Sequence, residues 1–430
     1  MNKEINISFY GGVGEVGRSC YIIEHENKSI MLDCGIKLGE EVQVPEIPKE
    51  KLNSVSEIFI SHAHLDHSGY LPHIFSEGHS KNIIATKPTR DMLSVLLSDY
   101  RRIQKKPKFS QKDVDMVIKK IEITEYGANK NRFNYELYQS GHILGGAMIK
   151  LGIDNGILYT GDICTRNTRI LEGCKKNIST KTLIVESTYG SKEDLIPSIK
   201  EEASKMVSLI NQTLKEGGFV LIPSFAVGRA QEILLILDDY MQSGALSRVP
   251  IYVDGMINKV LRIYRHNAIY ANEEIKRKIL MSDYDPFHSP NFKKPKTKDR
   301  SDVLAEPCII VTTSGMLSGG PALFYLEKLS EDPKNMLLFV GFQAEGTNGR
   351  KILGGEKEIE IDEKKIRINM KIEKLKISGH SDFNELLQFI NGISGLEKVF
   401  LVHGESKDLC ESLEKKYEVI APKIGEEYKI

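Results

Sequence analysis

The stretch Ser61-His62-Ala63-His64-Leu65-Asp66-His67 constrains the fold of this chain more than any other. It sets three imidazoles and a carboxylate in the spacing H-x-H-x-D-H. A packed core would have to hide those groups without partners, which is costly. Imidazole nitrogen and carboxylate oxygen are donors that suit zinc and similar divalent ions. His62 and His64 stand two apart, so a short extended loop points both at one ion. Asp66 and His67 start the turn into a helix and can face a second ion. The run Glu57-Ile58-Phe59-Ile60 just before them reads as a buried strand. A strand end that delivers ligands into a cleft is where an open α/β fold builds its site. A lone histidine would be an ordinary surface or core residue. Four ligand-type residues at this spacing indicate a binuclear metal hydrolase and leave its substrate open.

The strand pattern continues on both sides of the motif. Cys20 to Glu24 and Ser29 to Leu32 flank the polar turn His25-Glu26-Asn27-Lys28, a hairpin signature. Tyr135 to Gln139, Ala147 to Leu151 and Gly156 to Thr160 form another strand set, with Asp154-Asn155-Gly156 as a tight turn. Pro88 to Arg102 has helical periodicity with proline at its start. From Pro197 onward helices alternate with short apolar strands, the signature of a parallel sheet with crossover helices. Strands are expected at Phe219 to Ile222, Ile251 to Val253, Cys308 to Thr312 and Met336 to Val340. Glu356 to Lys376 reads as a charged hairpin. A chain of 430 residues exceeds one ordinary core. The expected division is 1–198, an inserted domain 199–371, and a return of the first domain at 372–430.

Five further acids and histidines stand at strand ends beside glycine or small residues: Asp33, His142, Asp162, Glu186 and His403. Singly, each is read as a turn residue. Together they point to one cluster. His380, in Ser378-Gly379-His380-Ser381-Asp382, follows the inserted region. His25, His73, His79, His266 and His288 lack this context and read as ordinary.

This constellation resembles the metallo-β-lactamase fold, an αββα sandwich. Asp33, then His62/His64/Asp66/His67, then His142, then Asp162 match its motifs in order. The chain also resembles one nuclease branch of that fold, the β-CASP ribonucleases, whose additional motifs match Glu186, His380 and His403. The inserted domain supplies Pro223-Ser224-Phe225-Ala226-Val227-Gly228-Arg229, Thr313-Ser314-Gly315-Met316 and Gly341-Phe342-Gln343-Ala344-Glu345-Gly346-Thr347-Asn348-Gly349-Arg350, all typical of the branch. The resemblance covers nearly the whole chain. It extends to the nuclease subunit of the pre-mRNA cleavage and polyadenylation machinery and its bacterial and archaeal homologues.

The resemblance implies an α/β protein with an αββα sandwich and an inserted β-CASP domain, a parallel sheet with flanking helices. It implies two divalent ions, zinc being expected from the ligands and manganese the alternative. His62, His64 and His142 would bind one ion, Asp66 and His67 the other, with Asp162 bridging and His403 completing the set. Asp33 would support the site. Asp66, Glu186 and His380 would be catalytic, with His380 as general acid oriented by Glu186. Arg229, Ser314, Arg350 and Ser378 would contact substrate. Ser381 could also donate to phosphate. The expected activity is endonucleolytic hydrolysis of single-stranded RNA. The alternatives are a thioester or lactone hydrolase of the same fold, and a 5′ exoribonuclease. A homodimer is one assembly that the family suggests.

Charge and composition bound this reading. Lysine plus arginine equals aspartate plus glutamate, at 59 each, so no large basic footprint advertises nucleic acid. The six cysteines are scattered without a C-x-x-C pair, which fits free thiols in a reducing cytosol. No signal peptide or membrane-length apolar run is evident. A cytoplasmic enzyme without a membrane partner is therefore expected.

Overall fold

The computed structural model describes residues 4–430 apart from 27, 40, 105, 131–133 and 283. The chain forms two compact units. The first comprises Met1–Asn167, Leu171–Leu195 and Gly379–Ile430; the second comprises Thr168–Ile170 and Ile196–Ser378. Among the described residues no helix is long and apolar enough to cross a membrane.

Two seven-stranded sheets build the first unit. In one, Ile5–Gly11, Cys20–His25 and Lys28–Leu32 run as an antiparallel meander. Its order then turns parallel through Glu57–Phe59, Asn82–Ala85 and Ile121–Ile123. Position 27 of the expected hairpin turn lies outside the described residues. In the other sheet, Ile157–Tyr159, Thr182–Glu186 and Lys398–Val402 are parallel neighbours. The return of the chain after the second unit is thus paired directly beside Thr182–Glu186.

The inner faces of the two sheets share one apolar core, which includes Phe9, Tyr21, Phe59, Tyr135, Tyr159, Ile184 and Phe400. Aromatic pairs cross the layer: Phe9 to Phe400 at 5.3 Å, Tyr21 to Tyr159 at 5.5 Å and Phe59 to Tyr135 at 5.0 Å between ring centroids. A second core packs Phe383, Leu386 and Phe389 of the helix Phe383–Asn391 on Leu158, Leu183 and Val399. That helix begins where the sequence supplies a cap. Asp382 accepts from Glu385 N–H, and the Glu385 side chain accepts from Asp382 N–H.

The second unit is built on a six-stranded sheet whose central strands, Ile251–Val253, Ile309–Thr312, Val220–Pro223 and Met336–Phe339, are parallel. The helix Ile199–Lys215 opens it with a Ser198/Glu201 capping box. The charged hairpin is Glu358–Ile361 with Lys364–Arg367. Lys371–Lys374, expected to close it, instead pairs parallel with Met336–Phe339 as an edge strand. Its charged residues suit an edge, where one side faces solvent.

Candidate metal centre

Strand ends of the first unit deliver the residues singled out above. Asp33 follows Lys28–Leu32, and the His62–His67 loop follows Glu57–Phe59. Asp162 follows Ile157–Tyr159, Glu186 ends Thr182–Glu186, and His403 follows Lys398–Val402. His142 lies in the turn between Asn134–Gln139 and Ala147–Leu151. His380 precedes the capped helix Phe383–Asn391.

Glycine permits the close approach of these loops. An ideal Cβ on Gly35 would stand 1.7 Å from the Asp66 carbonyl oxygen. The backbone between them is laced by Cys34 N–H donating to His67 O at 2.8 Å and Ser19 N–H donating to Asp66 O at 2.9 Å.

All ten expected residues from Asp33 to His403 come together. His62, His64, His142 and Asp162 offer ligand atoms within 4.8 Å of one another, as do His67, Asp162 and His403. His62, Asp66 and His67 form a further group, and Asp162, Glu186 and His380 another. The cluster can hold metal ions, and Asp162 belongs to three of its four groups.

The outer hydrogen bonds orient the rings. Ser61 Oγ donates to Asp33 Oδ2 at 2.7 Å, so at 3.0 Å from His62 it must accept from Nδ1. His67 Nδ1 donates to Asp33 Oδ2 at 2.7 Å. His142 Nδ1 donates to the Gly379 carbonyl at 2.8 Å. Thr188 Oγ1 donates to the His403 carbonyl at 3.1 Å and accepts from His403 Nδ1 at 3.2 Å. These four rings are thereby left with Nε2 as the nitrogen for the site, the usual arrangement around a metal. Nε2 of His62 and of His142 each lie 3.1 Å from His64 Nδ1. Three ring nitrogens so placed converge closely enough for one cation to take all of them as ligands.

Two observations fit the donor set to a cation. His67 Nε2 and Asp162 Oδ1, 3.2 Å apart, and His403 Nε2 are buried and make no well-aligned hydrogen bond among the described residues. Charge points the same way. Burial pushes the pKa of His67 down, but Asp162, Asp33 and Asp66 outweigh it and hold the ring protonated. A bound ion would take that proton's place. Burial, then the charge on His67, keeps His62 neutral; burial, then His380, does the same for His142. Burial would raise Asp162, but His67, His403 and His380 hold it well below the usual carboxylate range.

His380 stands slightly apart. Its Nδ1 lies 2.9 Å from Glu186 Oε2, and its Nε2 is 3.9 Å from Asp162 Oδ2. Glu186 is buried and also accepts Ile163 N–H at 2.6 Å. The His380 carbonyl accepts from Arg166 at 2.9 Å.

Ser381 does not donate outward. It is buried, accepts from Thr165 N–H at 2.9 Å and is bonded to Thr165 Oγ1 at 3.3 Å, so it secures the loop. Arg229, Ser314, Arg350 and Ser378 belong to the second unit. Arg229 opens the helix after Val220–Pro223, and Ser314 follows Ile309–Thr312. Arg350 is exposed and paired with Glu345 at 2.9 Å. Sequence reasoning missed Tyr159 and Thr188 and gave Ser61 no role. Ser61 had the signal of adjacency to the histidine motif; Tyr159 read only as strand.

Comparisons with known proteins agree with this geometry. Residues 230–352 match the Beta-Casp domain, and residues 365–422 the Zn-dependent metallo-hydrolase RNA specificity domain. Residues 15–192 match the anti-Pycsar protein Apyc1. An RNase J-like protein of Methanocaldococcus jannaschii is 39% identical over 93% of this chain and 92% of its own length. Transcription termination factor FttA of the same organism is 37% identical over 93% of this chain and 67% of its own length. FttA of Methanothermobacter thermautotrophicus is 37% identical over 97% of this chain and 70% of its own. A crystal structure of a protein of unknown function from Enterococcus faecalis V583 superposes with a TM-score of 0.60. It is 15% identical and covers 99% of this chain and 100% of its own, a likeness of fold.

Proposed function

Because the chain belongs to the β-CASP ribonucleases of the metallo-β-lactamase fold, we propose that it cuts single-stranded RNA internally at a centre for two zinc ions. Family and clustered site make it a metal-dependent RNA endonuclease. The observation that carries the reading is the orientation of His62, His67, His142 and His403. Each spends Nδ1 on a protein acceptor and leaves Nε2 for the cluster, beside Asp162 in His62, His67 and His142 and beside Asp66 in His403.

His62, His64 and His142 would hold one ion, Asp66, His67 and His403 the other, and Asp162 both. Imidazole and carboxylate donors without thiolate suit zinc. Bound ions would supply Lewis-acid activation of water and neutralise charge on the phosphate. Burial would raise the Asp66 carboxyl, but His67 and His403 keep it ionised, the form in which it would ligate an ion. Glu186 holds Nδ1 of His380 and leaves Nε2 to protonate the departing ribose oxygen. The relatives named transcription termination factors and the match to an RNA specificity domain support RNA as substrate.

The test is a cleavage assay on 5′-labelled single-stranded RNA, with and without chelator. Internal cuts that disappear with the metal are expected. Mononucleotides released from the 5′ end would shift the reading to a 5′ exoribonuclease. Turnover of thioesters or lactones with intact RNA would shift it to a small-molecule hydrolase.

A further inference from the structure

Asp33 is 0% exposed and accepts four hydrogen bonds. Ser61 N–H reaches Oδ1 at 2.7 Å. Oδ2 takes the other three: Ser61 Oγ at 2.7 Å, His67 Nδ1 at 2.7 Å and the Tyr159 hydroxyl at 2.6 Å. A carboxylate needs no such number of donors to satisfy a turn. Asp33 also has φ +59°, a conformation a non-glycine residue adopts at a cost. The surrounding structure therefore holds this side chain in place against a backbone preference.

Two of the donors lead to different ion positions. His67 is held directly. His62 is held through Ser61, whose hydroxyl accepts from the ring and donates to Asp33. Tyr159 leads to neither; its hydroxyl is 3.5 Å from His67 Nδ1 but 2.6 Å from the carboxylate. Its ring is fixed edge-on against Tyr21. Tyr159 stands three residues before Asp162, so the strand that aims the bridging carboxylate also clamps Asp33.

We infer that Asp33 is one outer-shell acceptor shared by both ion positions, and that Tyr159 is a positioning residue acting through it. The two positions are then linked in affinity, because loosening one carboxylate loosens a ligand in each. The inference rests on the two-ion reading above.

The test titrates metal-stripped chain with zinc against a chromophoric chelator. The proteins are the parent chain, Tyr159→Phe, Asp33→Asn and the double variant. Loss of an outer-shell partner lowers metal affinity by roughly 10–100-fold. Tyr159→Phe is expected to weaken both binding steps, with far-UV circular dichroism unchanged. In the Asp33→Asn background the same change should add almost nothing, since its route is gone. A merely structural tyrosine would give additive losses, and that result overturns the inference. So does a Tyr159→Phe isotherm that matches the parent or shifts one step alone. If Tyr159→Phe does not fold, Ser61→Ala decides. It must weaken both steps in the parent background and, because its hydroxyl still accepts from His62, one step alone in Asp33→Asn; any other pattern overturns the inference. A parent chain that binds fewer than two ions instead refutes the two-ion reading on which this rests.

Discussion

Glu186 and His380 are 194 residues apart in sequence, yet a carboxylate oxygen of one lies 2.9 Å from Nδ1 of the other. The carboxylate is buried at a strand end and the ring is only partly covered. One partner is therefore rigid and the other reachable. Such a pair orients an imidazole for proton transfer.

His380→Ala should keep its metal and still bind RNA, but cleave roughly 10²–10⁴-fold more slowly. The defect should shrink on an activated aryl phosphodiester, whose leaving group needs no proton. Single-turnover kinetics on both substrates, with metal analysis, checks this. Equal losses on both substrates would remove the general-acid role.

Asp162→Ala should bring metal content well below two ions per chain and abolish cleavage. Its carboxylate takes part in both main ligand groups, so neither position keeps its full set. Elemental analysis of dialysed protein reads the metal directly. Full occupancy in this variant would show that Asp162 is not shared.

Gly35→Ala should destabilise the first unit and weaken metal binding together. Its Cβ would meet backbone atoms of Asp66 and His67 at 1.7–2.7 Å, and backbone cannot swing aside as a flexible side chain does. Overpacking of this kind costs roughly 1–3 kcal/mol. Denaturant unfolding and metal content report the two effects. An unchanged midpoint would mean that the loops separate freely.

His73 predicts a pH effect away from the metal cluster. It stacks on Tyr70 at 5.1 Å and meets Phe109 at 4.8 Å. Burial, with Lys108 adding to it, pushes its pKa down to about 4. Above the unfolded value of about 6.5 both states are neutral and stability is unaffected. Between there and about 4 the unfolded chain holds a proton that the folded chain does not, so stability falls as pH falls. Below that window the slope ends. The fall in Tm from pH 7 to pH 5 should be smaller in His73→Leu than in the parent. An identical fall would assign the acid sensitivity to other groups.

Ligand chemistry belongs to a residue type, and spacing along a few residues limits where side chains can point. For that reason His62, His64, Asp66 and His67 are legible from the sequence as a candidate ligand set, and so are the strand ends at Asp33, Asp162, Glu186 and His403. Helix starts at Ser198 and Asp382 are equally local, because a cap bonds within three residues. What the folded structure decided was which distant atoms touch. Tyr159 bonds Asp33 across 126 residues, Thr188 bonds His403 across 215 and Gly379 bonds His142 across 237. No local pattern marks those partners, since a tyrosine in a strand or a threonine in a turn looks the same with or without a histidine beside it. Lys371–Lys374 shows the same limit in the second unit. Its charges suited a hairpin as well as an edge strand, and only the vacant edge of Met336–Phe339 selected between them. Composition and spacing determine which groups can bind an ion; pairing between strands far apart in sequence determines which of their nitrogens face it.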